Sequence, residues 1–247
     1  MTDTFDHQLV RSRSRNWLEA FRAGLAMAAD HEDTSQLYRM SRAIAGDTYA
    51  RDYARLLSTS EGGRMAYERV ELSERLMDKT WTATFPPGSV GAAYLRFLAS
   101  GHLSMQGLLD VSHKAIPPVE LDAHHPYVWL FRRIRDIHDI LHTLTGYGRE
   151  ALGEVCLLAF ASPATHELSR AMLAVGAFFR ARGPSARQAR RAILEGRRRG
   201  RHAAWILGED PETLLFEPLQ AARVRLRITP PIEYEKVPVE QRSLVEP

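Results

Sequence analysis

Apolar residues recur every three or four positions along almost the whole of this 247-residue chain, which is the spacing of helices with one buried face. No segment shows the strict alternation of a half-buried strand. The pattern predicts helices over about 16–30, 34–45 and 47–58, then shorter ones over 61–68 and 70–78, the last with Ser73 and Arg75 on its polar side. Pro86-Pro87-Gly88 breaks the chain, and a helix begins near Val90 and stops at Gly101. Residues 101–123, which include Pro117-Pro118, read as a loop. A long helix starts at Pro126, a residue suited to the first turn, and runs to the break at Gly146–Gly148. Another runs from about 149 through the 160s, with Pro163 as a kink or boundary, and more helix reaches Ala181. After Gly183-Pro184-Ser185 a basic helix spans about 186–207, and a last helix starts near Pro211. The proline-rich tail after Ile228 is expected to be extended, and the polar residues 1–15 to be frayed.

Within this helical pattern, the stretch His138 to Glu154 carries the densest chemistry. His138 and His142 are four apart, so on a helix both imidazoles share a face. Asp139 lies about 60° round the helix from His142 and is a candidate fourth ligand, a base for a metal-bound water, or an orienter of an imidazole. Glu154 lies twelve residues past His142. On a straight helix that is roughly 18 Å of rise, far beyond the reach of a shared ion. The chain must therefore turn back, and Gly146-Tyr147-Gly148 supplies the break. In an antiparallel hairpin centred near Tyr147, Glu154 falls opposite the histidine pair. Glu150 falls opposite residue 144 and reads as a supporting or surface group. The expected fold is all-α: a single-domain multi-helix bundle over 16–235 built round this central hairpin, with a flexible N-terminus (1–15) and an extended tail (236–247).

The cluster also has plainer readings. Two histidines at this spacing can be satisfied polar groups at a helix contact. The spacing is shared with HExxH proteases, but here Asp139 stands in the glutamate position and no third histidine follows at the expected distance. The His-Asp pair resembles HD-type phosphohydrolases, which need further histidines and an aspartate. The apolar stripe Tyr127, Phe131, Ile134 and Leu141 around His138 is either core or one wall of a site for a greasy substrate with a polar head. His102, His113, His124, His125, His166 and His202 show no metal spacing.

Composition narrows the picture further. Hydrophobic residues make up 45% and charged residues 26%, with one cysteine, Cys156, which excludes an internal disulfide and a cysteine-based zinc site. Of 33 basic residues only Lys79, Lys114 and Lys236 are lysines, and the net charge is +3. Arg180, Arg182, Arg187, Arg190, Arg191, Arg197, Arg198, Arg199 and Arg201 form a basic region that fits either a solvated face or an anionic membrane surface. Little aromatic interleaving accompanies it, so no nucleic-acid partner is expected. No run of about 20 apolar residues predicts a transmembrane helix, and no secretory or transit segment is expected.

The sequence HDILHTLTGYGREALGE resembles the HDxxHx11E signature of the coenzyme Q (ubiquinone) biosynthesis protein 4 family. FPPGSVGAAYLRFL, the helical pair VWLFRRIRDIHDILHTLTGYGREALGEVCLLAF and AAWILGEDPETLLFEPLQAARVRLRI resemble further segments of that family, over residues 50–235. The usual LGI is LRI here (Leu226 to Ile228), the C-terminal tryptophan pattern is altered after Trp205, and the N-terminal region matches poorly. The resemblance implies an all-helical protein of ubiquinone synthesis that holds Zn2+ or another divalent metal through His138, Asp139, His142 and Glu154. It implies metal-dependent oxidative decarboxylation and C1 hydroxylation of a prenylated hydroxybenzoate-type quinone precursor, with Asp139 the candidate catalytic residue, or else a non-catalytic prenyl-lipid-binding scaffold. The partners it implies are that precursor, an anionic membrane surface and other ubiquinone-biosynthesis enzymes, with a homodimer also admitted. The arginine-rich composition suggests a bacterial member, in the cytoplasm and peripheral to the inner membrane.

Overall fold

A computed structural model describes residues 15–29, 35–101, 104–116, 121–165 and 167–242 of the chain. The expected fraying of residues 1–15 and the Pro117-Pro118 pair, like His102 and His166, fall on or run into residues outside that range. Among the described residues the protein is all-α. The helices are α1 (Trp17–Ala29), α2 (Ser35–Ile44), α3 (Thr48–Leu57), α4 (Ser60–Glu68), α5 (Leu72–Met77), α6 (Lys79–Thr82), α7 (Val90–Ser100) and α8 (Met105–Ala115). They continue as α9 (Pro126–Asp136), α10 (His138–Thr145), α11 (Ala151–Ala161), α12 (Leu168–Arg180), α13 (Ala186–His202), α14 (Pro211–Phe216), α15 (Leu219–Arg225) and α16 (Ile232–Glu235). The only extended pairing among these residues is the isolated bridge Ser89–Pro218.

Several helix ends follow from local chemistry. Ser89 caps α7 by accepting from the Ala92 N–H at 3.1 Å, and Asp210 caps α14, where Pro211 fills the first turn. Thr59 caps α4 by accepting from the Gly62 N–H at 3.0 Å. α10 stops where Gly146 takes a left-handed conformation, φ 80°.

The structure departs from the sequence expectations in five places. Residues 101–123 are not a loop throughout, because α8 occupies Met105–Ala115. Its cap, Ser104 accepting from the Gly107 N–H, was hidden between Gly101 and the prolines, and Ile116 and Leu121 beyond it are fully buried. The long helix from Pro126 is two helices, since Ile137, with ψ −15°, tightens the turn just before His138. Ser73 lies buried rather than on a polar face, its N–H donating to the buried Asp136 carboxylate at 3.1 Å. The basic helix ends at His202, and residues 206–208 form a separate tight turn. After Ile228 the tail is not extended: α16 and the turn Val239–Gln241 fold back and bury Tyr234 and Val237. Burial of those two apolar side chains outweighs the extended bias of the prolines.

A main core joins α3–α5, α7–α16 and the segments between them, with Trp129, Leu130, Ile140, Leu144 and Leu152 among its buried residues. A smaller cluster of Ala20, Ala23, Met40 and Ile44 joins α1 to α2, with Leu168 and Leu173 of α12 against it. α10 lies in the main core, so its C-terminal carbonyls have no water to bond. All four have donors. The Gly146 N–H donates to His142 O at 2.9 Å, Arg223 donates to Thr143 O and Leu144 O at 3.0 and 2.9 Å, and Arg199 donates to Thr145 O at 2.8 Å. Arg199, read from sequence as part of a solvated basic face, is 4% exposed.

Arg223→Ala therefore strands the carbonyls of Thr143 and Leu144. It is expected to cost about 2–4 kcal/mol in urea unfolding, at roughly 1–3 kcal/mol per unsatisfied buried group. Arg225→Ala, whose partners Glu209 and Glu217 lie at the surface, should cost less than about 1 kcal/mol. Equal effects would contradict this account.

Candidate metal centre

The hairpin expected from spacing is present. α10 and α11 are joined through Gly146-Tyr147-Gly148, and Glu154 on α11 reaches both histidines of α10: its Oε2 lies 3.4 Å from His138 Nε2 and its Oε1 lies 3.2 Å from His142 Nε2. The two imidazole centroids are 4.8 Å apart. Asp139 Oδ1 lies 3.1 Å from His138 Nδ1. One ligand atom each from His138, Asp139 and His142 falls within 4.8 Å of the others, and Glu154 joins this triad through its contacts with both histidines. Glu150 is not in it. The Tyr234 hydroxyl donates to Glu150 and in turn accepts from the Gly148 N–H at 2.8 Å, so Glu150 anchors the hairpin turn to α16.

His142 is oriented by the turn itself. Its Nδ1 lies 3.2 Å from the carbonyl oxygen of Tyr147. A carbonyl only accepts, so Nδ1 carries the proton and Nε2 presents a lone pair. That Nε2 is buried and has no hydrogen-bond partner, although Glu154 Oε1 lies 3.2 Å away. An unmet buried acceptor costs about 1–3 kcal/mol. A cation between the imidazoles and the carboxylates would satisfy it. Two imidazoles with two carboxylates form an N/O donor set suited to zinc or another borderline divalent ion, and an imidazole fixed through its other nitrogen is the usual support for a ligand. The residues present fit a divalent metal.

The electrostatics agree. Burial opposes the charged form of His138, but Asp139 on one side and Glu154 on the other raise its pKa from the usual 6.5 to about 10. Burial likewise opposes ionisation of Glu154, yet its hydrogen bond with the His138 imidazole above all holds the carboxyl far below the ordinary range. Without metal, a proton on His138 offsets one of the two carboxylates.

The sequence reading missed the wall supplied by α7, which packs against α10. Phe97 stacks on His142 with centroids 5.2 Å apart and planes 18° from parallel. Tyr94 is fully buried with an unpartnered hydroxyl, whose pKa is pushed up by burial and then by the Asp139 and Asp136 carboxylates. Tyr94 and Phe97 are three apart and so share a helix face, which was the available signal. His125 instead caps α9 by accepting from the Tyr127 N–H, and His113 faces Asp122.

Fold and site together define a class: an all-helical protein with a two-histidine, two-carboxylate candidate metal centre on a helical hairpin. The chain belongs to the family described as Coenzyme Q (ubiquinone) biosynthesis protein Coq4, whose profile matches residues 5–231, reaching further toward the N-terminus than the motifs did. It is 30% identical to the mitochondrial ubiquinone biosynthesis protein COQ4 homolog of Rattus norvegicus over 178 residues, 69% of this chain and 62% of that protein. It is also 30% identical to the Bos taurus homolog over 203 residues, 78% and 72% of the two chains. The crystal structure of a candidate ubiquinone biosynthesis protein from Nostoc punctiforme shares the fold, with a TM-score of 0.62 at 19% identity, covering 87% of this chain and all of that one.

Metal uptake must displace the His138 proton. Affinity for Zn2+ or Co2+ is therefore expected to rise with pH between 6.5 and about 10, with proton release on binding. In the metal-free protein the sign reverses: the stabilisation from charged His138 is complete below 6.5 and is lost as pH rises through about 10. Calorimetric titration in buffers of different ionisation enthalpy measures the first effect, and urea unfolding across pH the second. Affinity that falls with rising pH would contradict the assignment.

Proposed function

We propose that the protein acts in ubiquinone biosynthesis, and that His138, Asp139, His142 and Glu154 hold a divalent metal at which a prenylated hydroxybenzoate-type precursor loses its C1 carboxylate and gains a hydroxyl there. Membership of the Coq4 family supports the pathway. The observation that carries the metal reading is the buried, unpartnered Nε2 of His142, fixed from behind by the Tyr147 carbonyl. When bound, the metal would polarise the phenol and carboxylate oxygens of the substrate. Exchanging a carboxylate for a hydroxyl with loss of carbon dioxide removes two electrons, so an oxidant is a co-reactant. Zinc does no redox chemistry, and histidine–carboxylate sets also suit iron(II).

The residues of the chain divide the remaining work. Glu154 spans both histidines, and Asp139 orients the His138 ring through Nδ1. Asp139 is then either the fourth ligand or, where His138, His142 and Glu154 hold the metal alone, the base that takes a proton. Ile134 and Leu141, from the predicted apolar stripe, line a pocket with Phe160 and Leu207. Its volume of about 30 Å³ holds water-sized groups only.

A second reading rests on a different surface. Trp17, Leu18, Phe21 and Leu25 of α1 and Met172, Val175 and Phe179 of α12 are each at least 40% exposed. Both helices pack on α2, and Arg22, Arg180 and Arg182 are exposed among them. No described helix is long and apolar enough to cross a membrane. An apolar face with arginines beside it suits peripheral docking on anionic lipid. A protein docked there would present a prenylated precursor to other ubiquinone-biosynthesis enzymes whether or not it is itself a catalyst.

His142→Ala is expected to lose bound metal, measured by mass spectrometry of the purified protein, and to lower C1 product formation by more than about 100-fold. Asp139→Asn that keeps metal and fold but loses turnover would sink the pure scaffold. Metal-loaded wild type that forms no C1 product from the prenylated hydroxybenzoate with oxidant supplied would sink the enzymatic reading.

Phe21→Glu combined with Phe179→Glu is expected to weaken co-sedimentation with phosphatidylserine vesicles by at least about tenfold, because each phenylalanine contributes roughly 1.5–3 kcal/mol of apolar burial. Unchanged binding would remove this face from consideration.

A further inference from the structure

Arg149 stands between the hairpin turn and Glu150, the residue that caps α11, and is half-buried. Its guanidinium carbon lies 5.3 Å from the centre of the Phe97 ring, the ring that stacks on His142. Interior arginines elsewhere have oxygen partners. Arg132 is paired with Glu71, Arg135 with Asp136, Arg170 with Glu167, and Arg199 and Arg223 bond helix carbonyls. Among the described residues Arg149 has the ring contact and no hydrogen-bond or ion-pair partner. The adjacent carboxylate, Glu150, is taken by the Tyr234 hydroxyl.

Space has been left for this side chain. A Cβ at Gly101, at the C-terminal end of α7, would lie 0.7 Å from Arg149 Nη1. Gly101 has φ −114°, a conformation open to any residue, so its backbone does not require glycine. A side chain there would instead push the guanidinium aside. The cluster is also open on the side of His138 and Glu154, whose side chains are 32% and 38% exposed, so a ligand has a way in.

The geometry points to Arg149 as the anion receptor of the site, binding the carboxylate of an aromatic monocarboxylate whose ring reaches the His138–His142–Glu154 cluster. This rests on the proposed function and adds the residue that recognises the substrate's carboxylate. A guanidinium fork matches a planar carboxylate in two parallel hydrogen bonds. A free phosphate shares the oxyanion chemistry and is the competing source.

The test uses the full-length protein loaded with Zn2+ and calorimetric titration with 4-hydroxybenzoate, its neutral amide 4-hydroxybenzamide, and inorganic phosphate. Wild type is expected to bind the carboxylate at least about tenfold more tightly than the amide, a difference of about 1.4 kcal/mol. Arg149→Met should abolish that preference while Zn2+ affinity stays within about twofold. Arg149→Lys, which keeps the charge but not the fork, should retain part of it. Gly101→Ala leaves Arg149 in the chain but evicts its guanidinium from the pocket, and should lower carboxylate affinity severalfold with little change in unfolding midpoint. That variant separates anion binding from any capping role of Arg149 that its removal would disturb.

Wild type that does not prefer the carboxylate, or variants at 149 and 101 that keep the preference, overturn the proposal. Tighter binding of phosphate than of the carboxylate overturns the substrate class. If wild type takes up no metal, the proposed function fails instead, and the dependence of carboxylate binding on Arg149 and Gly101 is still read in the metal-free protein.

Discussion

The helix that carries both histidines ends inside the protein, and its last four carbonyls must find donors there. Water cannot reach them, and an unsatisfied buried carbonyl costs about 1–3 kcal/mol. Gly146 supplies one donor from the turn, and Arg199 and Arg223 supply the rest from α13 and α15. The hairpin is thereby tied to two helices more than fifty residues downstream. The burial that makes these arginines necessary also keeps solvent from His142.

The same turn sets the chemistry of the site. Because the chain reverses through Gly146, the Tyr147 carbonyl faces back onto His142 and fixes which ring nitrogen is free. The reversal also brings α11 alongside, so that one carboxylate, Glu154, meets both imidazoles. Tyr234 closes the other side of the turn by bridging Gly148 and Glu150. A tail that folded otherwise would leave that bridge unmade. The C-terminal segment therefore supports the site through the turn.

Much of the site was legible in the sequence because helix geometry is rigid. A four-residue spacing puts two side chains on one face, and a rise of about 1.5 Å per residue forbids a third ligand twelve residues on unless the chain turns. Those two facts select Glu154 over Glu150. The kink at Ile137, the helix at Met105–Ala115 and the folded tail were not legible. Each depends on a partner distant in sequence or on a cap overshadowed by stronger breaking signals: Asp136 meets Ser73, Ser104 caps a helix between a glycine and two prolines, and Tyr234 packs edge-on against Tyr147. Arg199 was misplaced for a related reason. A dense run of arginines reads as a solvated face, and only the buried carbonyl of Thr145 explains why one of them turns inward.

By itself the sequence determined an all-helical chain, the hairpin and the four residues at its heart, because periodicity and rise are local properties of the backbone. Only the tertiary structure decided how those residues are held and what surrounds them. Phe97 against His142, Tyr94 near Asp139, the arginines at the end of α10 and the unpaired guanidinium of Arg149 all arise from contacts between elements far apart in the chain. Such contacts are selected by packing and by the need to satisfy every buried polar group at once. No local pattern records that requirement.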